Sequence, residues 1–146
     1  MPPSSETPVG DADHVALSRL VTEISLRLDN GRAGTVHELA TDDVVFSIAE
    51  DPVLGRDALR VWGERFDRAR PLPGIRHSLS NPRFLADGPD RASGTVMVTA
   101  YYVPAEGAGD IVATTPFAVG EDHDTYVRTR EGWRLASRRW ELWFSR

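Results

Sequence analysis

The sequence contains neither cysteine nor lysine; all 17 of its basic residues are arginine. Without cysteine there is no disulfide, no thiolate nucleophile, no cysteine-bound zinc and no iron–sulfur cluster. Without lysine there is no Schiff base and no lysine general base. Chemistry on this chain must therefore rest on His, Asp, Glu, Tyr, Ser, Thr or Arg. No apolar run approaches the ~20 residues that span a bilayer, and "MPPSSETPVG" lacks a charged n-region with an apolar core behind it. A cytoplasmic protein with no membrane partner is expected. The net charge of −5 has both signs spread along the chain, and the one basic cluster, "RTREGWRLASRR", spans a hairpin rather than a surface. That argues against nucleic acid as a partner. No His-x-His, His-x₃-His or HExxH spacing occurs, and "DHD" is a weak ligand set, so no metal is expected. Nucleophile elbows and phosphate loops are absent as well.

What is present is enough for one domain. Residues 1–10 are rich in Pro, Ser and Gly and read as a disordered tail, leaving residues 11–146 as the domain. Asp11 or Asp13 caps a helix in which Leu17, Leu20, Val21, Ile24 and Leu28 recur at helical spacing, and Asn30–Gly31 stops it. "TVHEL" fits a capping box on a short helix, Thr35 with Glu38. "VVFSI" is a short strand, and "GRDALRVWGERFDRA" is a helix with Ala58, Leu59, Trp62 and Phe66 on one face, broken by "RPLPG".

From residue 75 the chain reads as four long strands joined by "DGPD", "PAEGAGD" and "EG", an antiparallel meander. Pro82, Pro116 and Gly120 fit poorly in a central ladder and predict bends or bulges. Helices first and a curved sheet second imply an α+β fold: a cone-shaped barrel of strongly curved, mostly antiparallel sheet wrapped around the N-terminal helices. Such a cone holds a cavity for a small molecule.

In "GIRHSLSNPRF" strict alternation puts Ile75, His77, Leu79 and Asn81 on one face. An imidazole titrates at about 6.5 in the absence of perturbation, so a histidine on that face is a candidate acid/base. The competing role is a core histidine bonded to a neighbouring carbonyl. Asn81 is a candidate anchor for a ligand carbonyl or hydroxyl, or else a turn former before Pro82. Trp62, Phe66, Met97, Phe117, Trp133, Trp140 and Trp143 are candidates for pocket lining, core or dimer interface. His14 and His37 read as solvated.

The segments "RLDNGR…HELATDDVVF", "GRDALRVW", "RHSLSNP" and "HDTYVRTREGWRLASRRWEL" follow one another over about residues 12–144. In that order they resemble the SnoaL-like branch of the nuclear-transport-factor-2-like superfamily. This group includes polyketide cyclases, ketosteroid isomerases, scytalone dehydratases, limonene epoxide hydrolases, small subunits of ring-hydroxylating dioxygenases and members with only binding roles. The resemblance implies a cofactor-free pocket of acids, bases and hydrogen-bond donors, and a homodimer built on the outer sheet face. The family's "LDxGD" is here "LDNGR": Asp29 keeps the first acid and Arg32 replaces the second. Ile24 stands where relatives place a tyrosine; in "DHD", Asp124 takes the acidic position of "YxD" and Asp122 replaces its tyrosine. Tyr101, Tyr102 and Tyr126 are the hydroxyls left to substitute. "EDPV" resembles the isomerases' base-bearing strand, but the longer stretch before it leaves Asp51 unassigned.

These readings converge on His77 as acid/base with Asp124 or Asp29 as partner, and on Asn81, Trp62, Phe66, Tyr101 and Phe117 as substrate-binding residues. The alternative for Asp29 is a helix-end residue bonded to local backbone or Arg32, and for Asp124 an exposed residue beside Arg128. Alternation puts His123 and Asp124 on opposite faces, so at most one enters the cavity unless a bulge at Gly120 intervenes. The function expected is a cofactor-independent isomerase, cyclase or dehydratase acting on a small apolar oxygenated molecule such as a polyketide or terpenoid. Two alternatives stand beside it: a noncatalytic binding or dimerisation module, and an epoxide-opening hydrolase using Arg138 or Arg139 with Asp124 and a second acid.

Overall fold

Leu17, Leu20, Val21 and Ile24 form the buried stripe of helix α1 (Asp11–Asp29). The computed structural model describes residues 6–48, 51–69, 74–102 and 116–145. Neither Asp11 nor Asp13 caps α1. Gly10 occupies the N-cap without a side-chain bond, and both acids lie in the first turn, where a carboxylate complements the helix dipole. Asp13 instead accepts from Trp133 Nε1 (3.0 Å) and from Arg128 (2.9 Å), tying α1 to the far end of the sheet. At the other end the Asn30 amide donates to the Leu26 carbonyl and Gly31 takes φ 71°, as the sequence predicts.

The predicted capping box is also replaced. Thr35 Oγ1 donates to the carbonyl of Arg32, the N-cap, and Glu38 accepts from Arg27, so neither accepts from the N–H groups that open the short 3-10 helix Ala33–Leu39. Its free N–H groups are bonded by Asp67 of helix α2 (Arg56–Ala69), whose two carboxylate oxygens accept from Ala33 N–H and Gly34 N–H at 2.8 Å each. α2 comes this close because Gly63 faces the backbone of Ala33; a Cβ there would overlap the Ala33 carbonyl. Gly63→Ala is therefore expected to cost about 1–3 kcal/mol, as overpacking does, read as a lowered midpoint in urea unfolding.

Strands β1 (Ala40–Ser47), β2 (Val53–Leu54), β3 (Ile75–Ala86), β4 (Arg91–Tyr102), β5 (Ala118–Thr129) and β6 (Gly132–Ser145) form one sheet in the order β2-β1-β6-β5-β4-β3. β3 to β6 are the predicted antiparallel meander, and β1 joins β6 in parallel. The sheet is open, with β2 and β3 at its edges. Order begins before Asp11: Val9 N–H donates to the Phe84 carbonyl and Ala86 N–H to the Thr7 carbonyl, so the end of the proline-rich segment lines the β3 edge. "RPLP" and the residues from Val103 to Thr115, which include the expected "PAEGAGD" loop and the start of "IVATTPFAV", lie outside the described residues.

Bulges set which side chains point inward. On β3 the register shifts between Ser80 and Arg83, with Asn81 at φ 50°. A second shift separates the pairs Thr125↔Ser137 and Tyr126↔Leu135, leaving Ala136 as the extra residue on β6. A third separates Val119↔Phe144 from Gly120↔Leu142; the extra residue is Trp143, opposite the predicted irregularity at Gly120. Pro116 precedes β5 and takes no place in the ladder. The main core packs the α1 stripe against Phe46, Phe84, Val96, Tyr126 and Leu135. A smaller cluster of Ile75, Ala100 and Ala118 lies at the other end of the sheet.

Candidate active site

Between the end of α1, the face of α2 and the inward face of β3 to β6 lies a cavity of about 210 Å³. Leu28, Trp62, Phe66, Ile75, Phe117 and Trp140 make its apolar wall. Trp62 and Phe66 are one helical turn apart on α2 and stack at 5.3 Å. Val98 and Ala100 of β4 floor it, and the polar side chains that reach it are Ser25, His77, Asp122 and Arg138.

His77 arrives by strand parity from β3, and Asp29 by being the last residue of α1. The Asp29 carboxylate holds His77 twice: Oδ1 lies 2.5 Å from the ring Nδ1, and Oδ2 accepts the His77 backbone N–H at 2.9 Å. A carboxylate on Nδ1 fixes the ring with Nδ1 protonated and leaves Nε2 as the lone-pair nitrogen of the neutral form. Nε2 has no hydrogen-bond partner among the described residues, and His77 lines the cavity. The bond from Asp29 goes neither to local backbone nor to Arg32. Arg76 lies beside the pair, its guanidinium on the Asp29 main-chain carbonyl at 3.1 Å.

A second polar group faces the same space from β5 and β6. Alternation along β5 turns Asp122, Asp124 and Tyr126 inward and His123 outward. On β6, Trp133 and Leu135 face in, and uninterrupted alternation would bring in Ser137 and Arg139; the extra residue Ala136 inverts the parity and brings in Arg138 and Trp140. Arg138, 3 % exposed, donates Nε to Asp124 Oδ1 (2.8 Å) and Nη2 to Asp124 Oδ2 (2.7 Å), and its Nη1 lies 3.3 Å from Asp122 Oδ2. Tyr126 Oη adds a third donor to Asp124 at 2.8 Å. Burial pulls the guanidinium down, but the two carboxylates outweigh that and hold it charged. Burial pushes the Asp122 carboxyl up to about 6; Arg138 opposes the shift and Asp124 adds to it. Tyr126 is raised by burial and by Asp124, so its hydroxyl keeps its proton.

A carboxyl whose folded-state value lies above its unfolded one binds more protons in the folded chain, so its contribution to stability is lost as pH rises from about 4 through about 6. Asp122→Asn is accordingly expected to raise the thermal midpoint at pH 7.5 and to leave it nearly unchanged at pH 4.5, as differential scanning calorimetry would read.

No curated protein matches the chain by sequence. The profile of the SnoaL-like domain matches residues 12–139. The chain belongs to the SnoaL-like family. Solved structures similar to this SnoaL-like chain share its nuclear-transport-factor-2-like fold. A Novosphingobium aromaticivorans protein provisionally assigned as a scytalone dehydratase is 20 % identical, with a TM-score of 0.77 over 92 % of this chain and 87 % of that one. Aln2 from a Streptomyces species is 18 % identical, with a TM-score of 0.77 over 93 % and 94 %. A Catenulispora acidiphila protein in complex with S-DNPA is 20 % identical, with a TM-score of 0.74 over 91 % and 95 %.

In this SnoaL-like chain the structure gathers His77 and Asp29, with Trp62, Phe66 and Phe117, at the cavity. It does not bring in three other expected residues. Asp124 is buried behind the cavity wall, saturated by Arg138 and Tyr126 rather than exposed beside Arg128; Arg128 lies over the Trp133 ring at 4.5 Å. Asn81 is exposed in the β3 bulge, where its positive φ serves the bend before Pro82. Tyr101 is on the outer face of β4, 38 % exposed. Of the other aromatic candidates Trp133 is core, and Trp143 is exposed. "DHD" is no ligand set, because its histidine faces away from its aspartates: His123 Nε2 pairs with Glu141 (2.7 Å) and Glu121 (3.2 Å) on the outer face. His14 packs edge-on against Phe84, and His37 bonds the Gly34 carbonyl. Among the described residues no helix is long and apolar enough to cross a membrane.

Asp122 and Arg138 reach the cavity although the sequence left both open, Asp122 as the replacement of a tyrosine and Arg138 as one of two arginines for the epoxide-opening alternative. Asp122 was signalled by its i, i+2 relation to Asp124, which puts both acids on one face. Nothing in the residues signals the bulge that turns Arg138 inward.

Proposed function

We infer that this protein is a cofactor-independent acid/base enzyme, an isomerase, cyclase or dehydratase of a small apolar oxygenated molecule such as a polyketide or terpenoid. One observation carries the reading: a carboxylate-oriented histidine, its Nε2 unpartnered among the described residues, stands at the wall of a mostly apolar cavity. In that setting Nε2 removes a proton from carbon next to a carbonyl; the C–H electron pair becomes the new C=C bond and the carbonyl π pair moves onto oxygen. Returning the proton from the imidazolium to another carbon completes an isomerisation. Returning it to a departing β-hydroxyl releases water. A positioned base of this kind contributes roughly 10²–10⁴-fold. The provisional scytalone dehydratase assignment of one structural neighbour and the complex of another with S-DNPA support a small-molecule role.

A noncatalytic module predicts a small pocket or a histidine fully satisfied by backbone: the cavity of about 210 Å³ is small, but His77 is held by the Asp29 carboxylate and its Nε2 has no partner among the described residues. The epoxide-opening alternative finds an arginine with two acids in Arg138, Asp122 and Asp124, but Asp124 does not line the cavity, so one acid alone is left for a water. The reading requires no cofactor and no metal. It has the protein acting in the cytoplasm, as a homodimer, with a small molecule rather than nucleic acid or membrane as partner; the net charge of −5 and the exposed Leu142, Trp143 and Phe144 support it.

The test is deuterium incorporation at the α-carbons of small ketones in D₂O, followed by proton NMR. The expected result is enzyme-dependent exchange above the buffer rate. Ketones that bind without any accelerated exchange would remove the catalytic reading and leave the binding module.

A further inference from the structure

The buried charges on the β5 and β6 side of the cavity do not balance. One guanidinium faces two carboxylates, and it is matched to only one of them: Asp124 takes both short bonds and the Tyr126 hydroxyl, while among the described residues Asp122 has a single polar contact, to Arg138 at 3.3 Å. Asp122 is nevertheless the acid that opens onto the cavity, its side chain only 10 % exposed. An ionised carboxylate so placed lacks both solvent and a full counter-charge, whereas a protonated one has an O–H to offer to whatever fills the cavity. Val98 and Ala100 of the intervening β4 separate it from His77, so the two groups face one bound molecule from two different strands.

The geometry points to Asp122 working in its neutral form, backed by Arg138, as the hydrogen-bond donor to a carbonyl or hydroxyl oxygen of an uncharged substrate of one or two rings. The inference rests on His77 being the base, and names what binds opposite it. In the step that His77 begins, the oxygen that receives the carbonyl π pair is the atom this O–H meets; the proton stays on Asp122 or is shared, and no other reactant is needed. Two features restrict the substrate. Arg138 is already matched by Asp124, so a carboxylate or phosphate entering the cavity would meet Asp122 with no cation left for it. The volume of about 210 Å³ lies below the roughly 300–1,000 Å³ of pockets for drug-sized ligands, which excludes large polycyclic frameworks.

The probe is 2-tetralone labelled with ¹³C at the carbonyl, a neutral two-ring ketone, with 2-naphthoate as its anionic counterpart. On the wild-type protein the bound carbonyl resonance is expected to move downfield at pH 5 and to lose most of that shift by pH 7.5. In Asp122→Asn, whose amide keeps an N–H, a smaller shift persists across that range without pH dependence; in Asp122→Ala it is absent at every pH. A wild-type carbonyl shift that is absent at pH 5 or grows as pH rises overturns the proposal, as does an unchanged shift in Asp122→Ala. No binding of 2-tetralone, or tighter binding of 2-naphthoate, overturns it as well. The His77 reading is scored separately on the same samples by α-proton exchange: His77→Gln lowers the exchange rate while the carbonyl shift remains. If exchange survives that substitution the base assignment fails and the donor assignment stands.

Discussion

His77→Gln is expected to lower the turnover of a cavity-bound ketone by roughly 10²–10⁴-fold with little change in KM, the signature of an interaction that acts on the transition state more than on binding. Asp29 holds the imidazole through both its backbone and its ring, so the basic nitrogen is oriented before substrate arrives. Glutamine fills similar space and can still bond Asp29, but has no lone pair of comparable basicity. Asp29→Asn keeps the backbone acceptor and loses the anion that stabilises the imidazolium. Its expected loss is therefore smaller than that of His77→Gln, in kcat again. Stopped-flow or NMR rates on matched, folded variants decide this. Equal rates for wild type and His77→Gln would remove the histidine from the chemistry.

Arg138→Met is expected to destabilise the fold by about 3–5 kcal/mol, because it leaves Asp124 buried without its counter-charge. Asp124 is 2 % exposed and bonded to Tyr126 of the main core, so exposing it to water would disturb that core. Arg139→Met, one residue along β6 but facing outward, is expected to change stability by no more than about 0.5 kcal/mol. Replacing the matched pair together, as Arg138→Met with Asp124→Leu, is expected to recover a large part of the loss, since an apolar pair costs no desolvation. Urea unfolding of the three proteins at pH 7 checks this. A small cost for Arg138→Met would mean that the guanidinium is not the counter-charge of a buried acid.

The fold was largely legible because its elements carry strong local patterns. The stripe from Leu17 to Ile24 gave α1, the turn residues Asn30–Gly31 its end, and the long alternating runs the meander. Caps were less legible, since the carboxylate that bonds the 3-10 helix comes from Asp67, more than thirty residues away. In the site, His77 followed from parity because β3 is regular from Ile75 to Ser80. The same rule failed four residues on: the bulge carries Asn81 out of the face it shares with His77 in an ideal strand. Arg138 was hidden for the same reason, since one extra residue at Ala136 exchanges the two faces of β6. Asp124 was misplaced by a different route. Its facing inward was readable, but its being satisfied by Arg138 and Tyr126 depends on pairing between strands that spacing alone does not supply.

Whether Asp29 sets His77 with a basic nitrogen open to the cavity is read by ¹⁵N NMR of the histidine side chains. The neutral His77 ring is expected to carry its proton on Nδ1, and the unprotonated Nε2 resonance to move when 2-tetralone is added. A ring protonated at Nε2, with no response to the ketone, would contradict it.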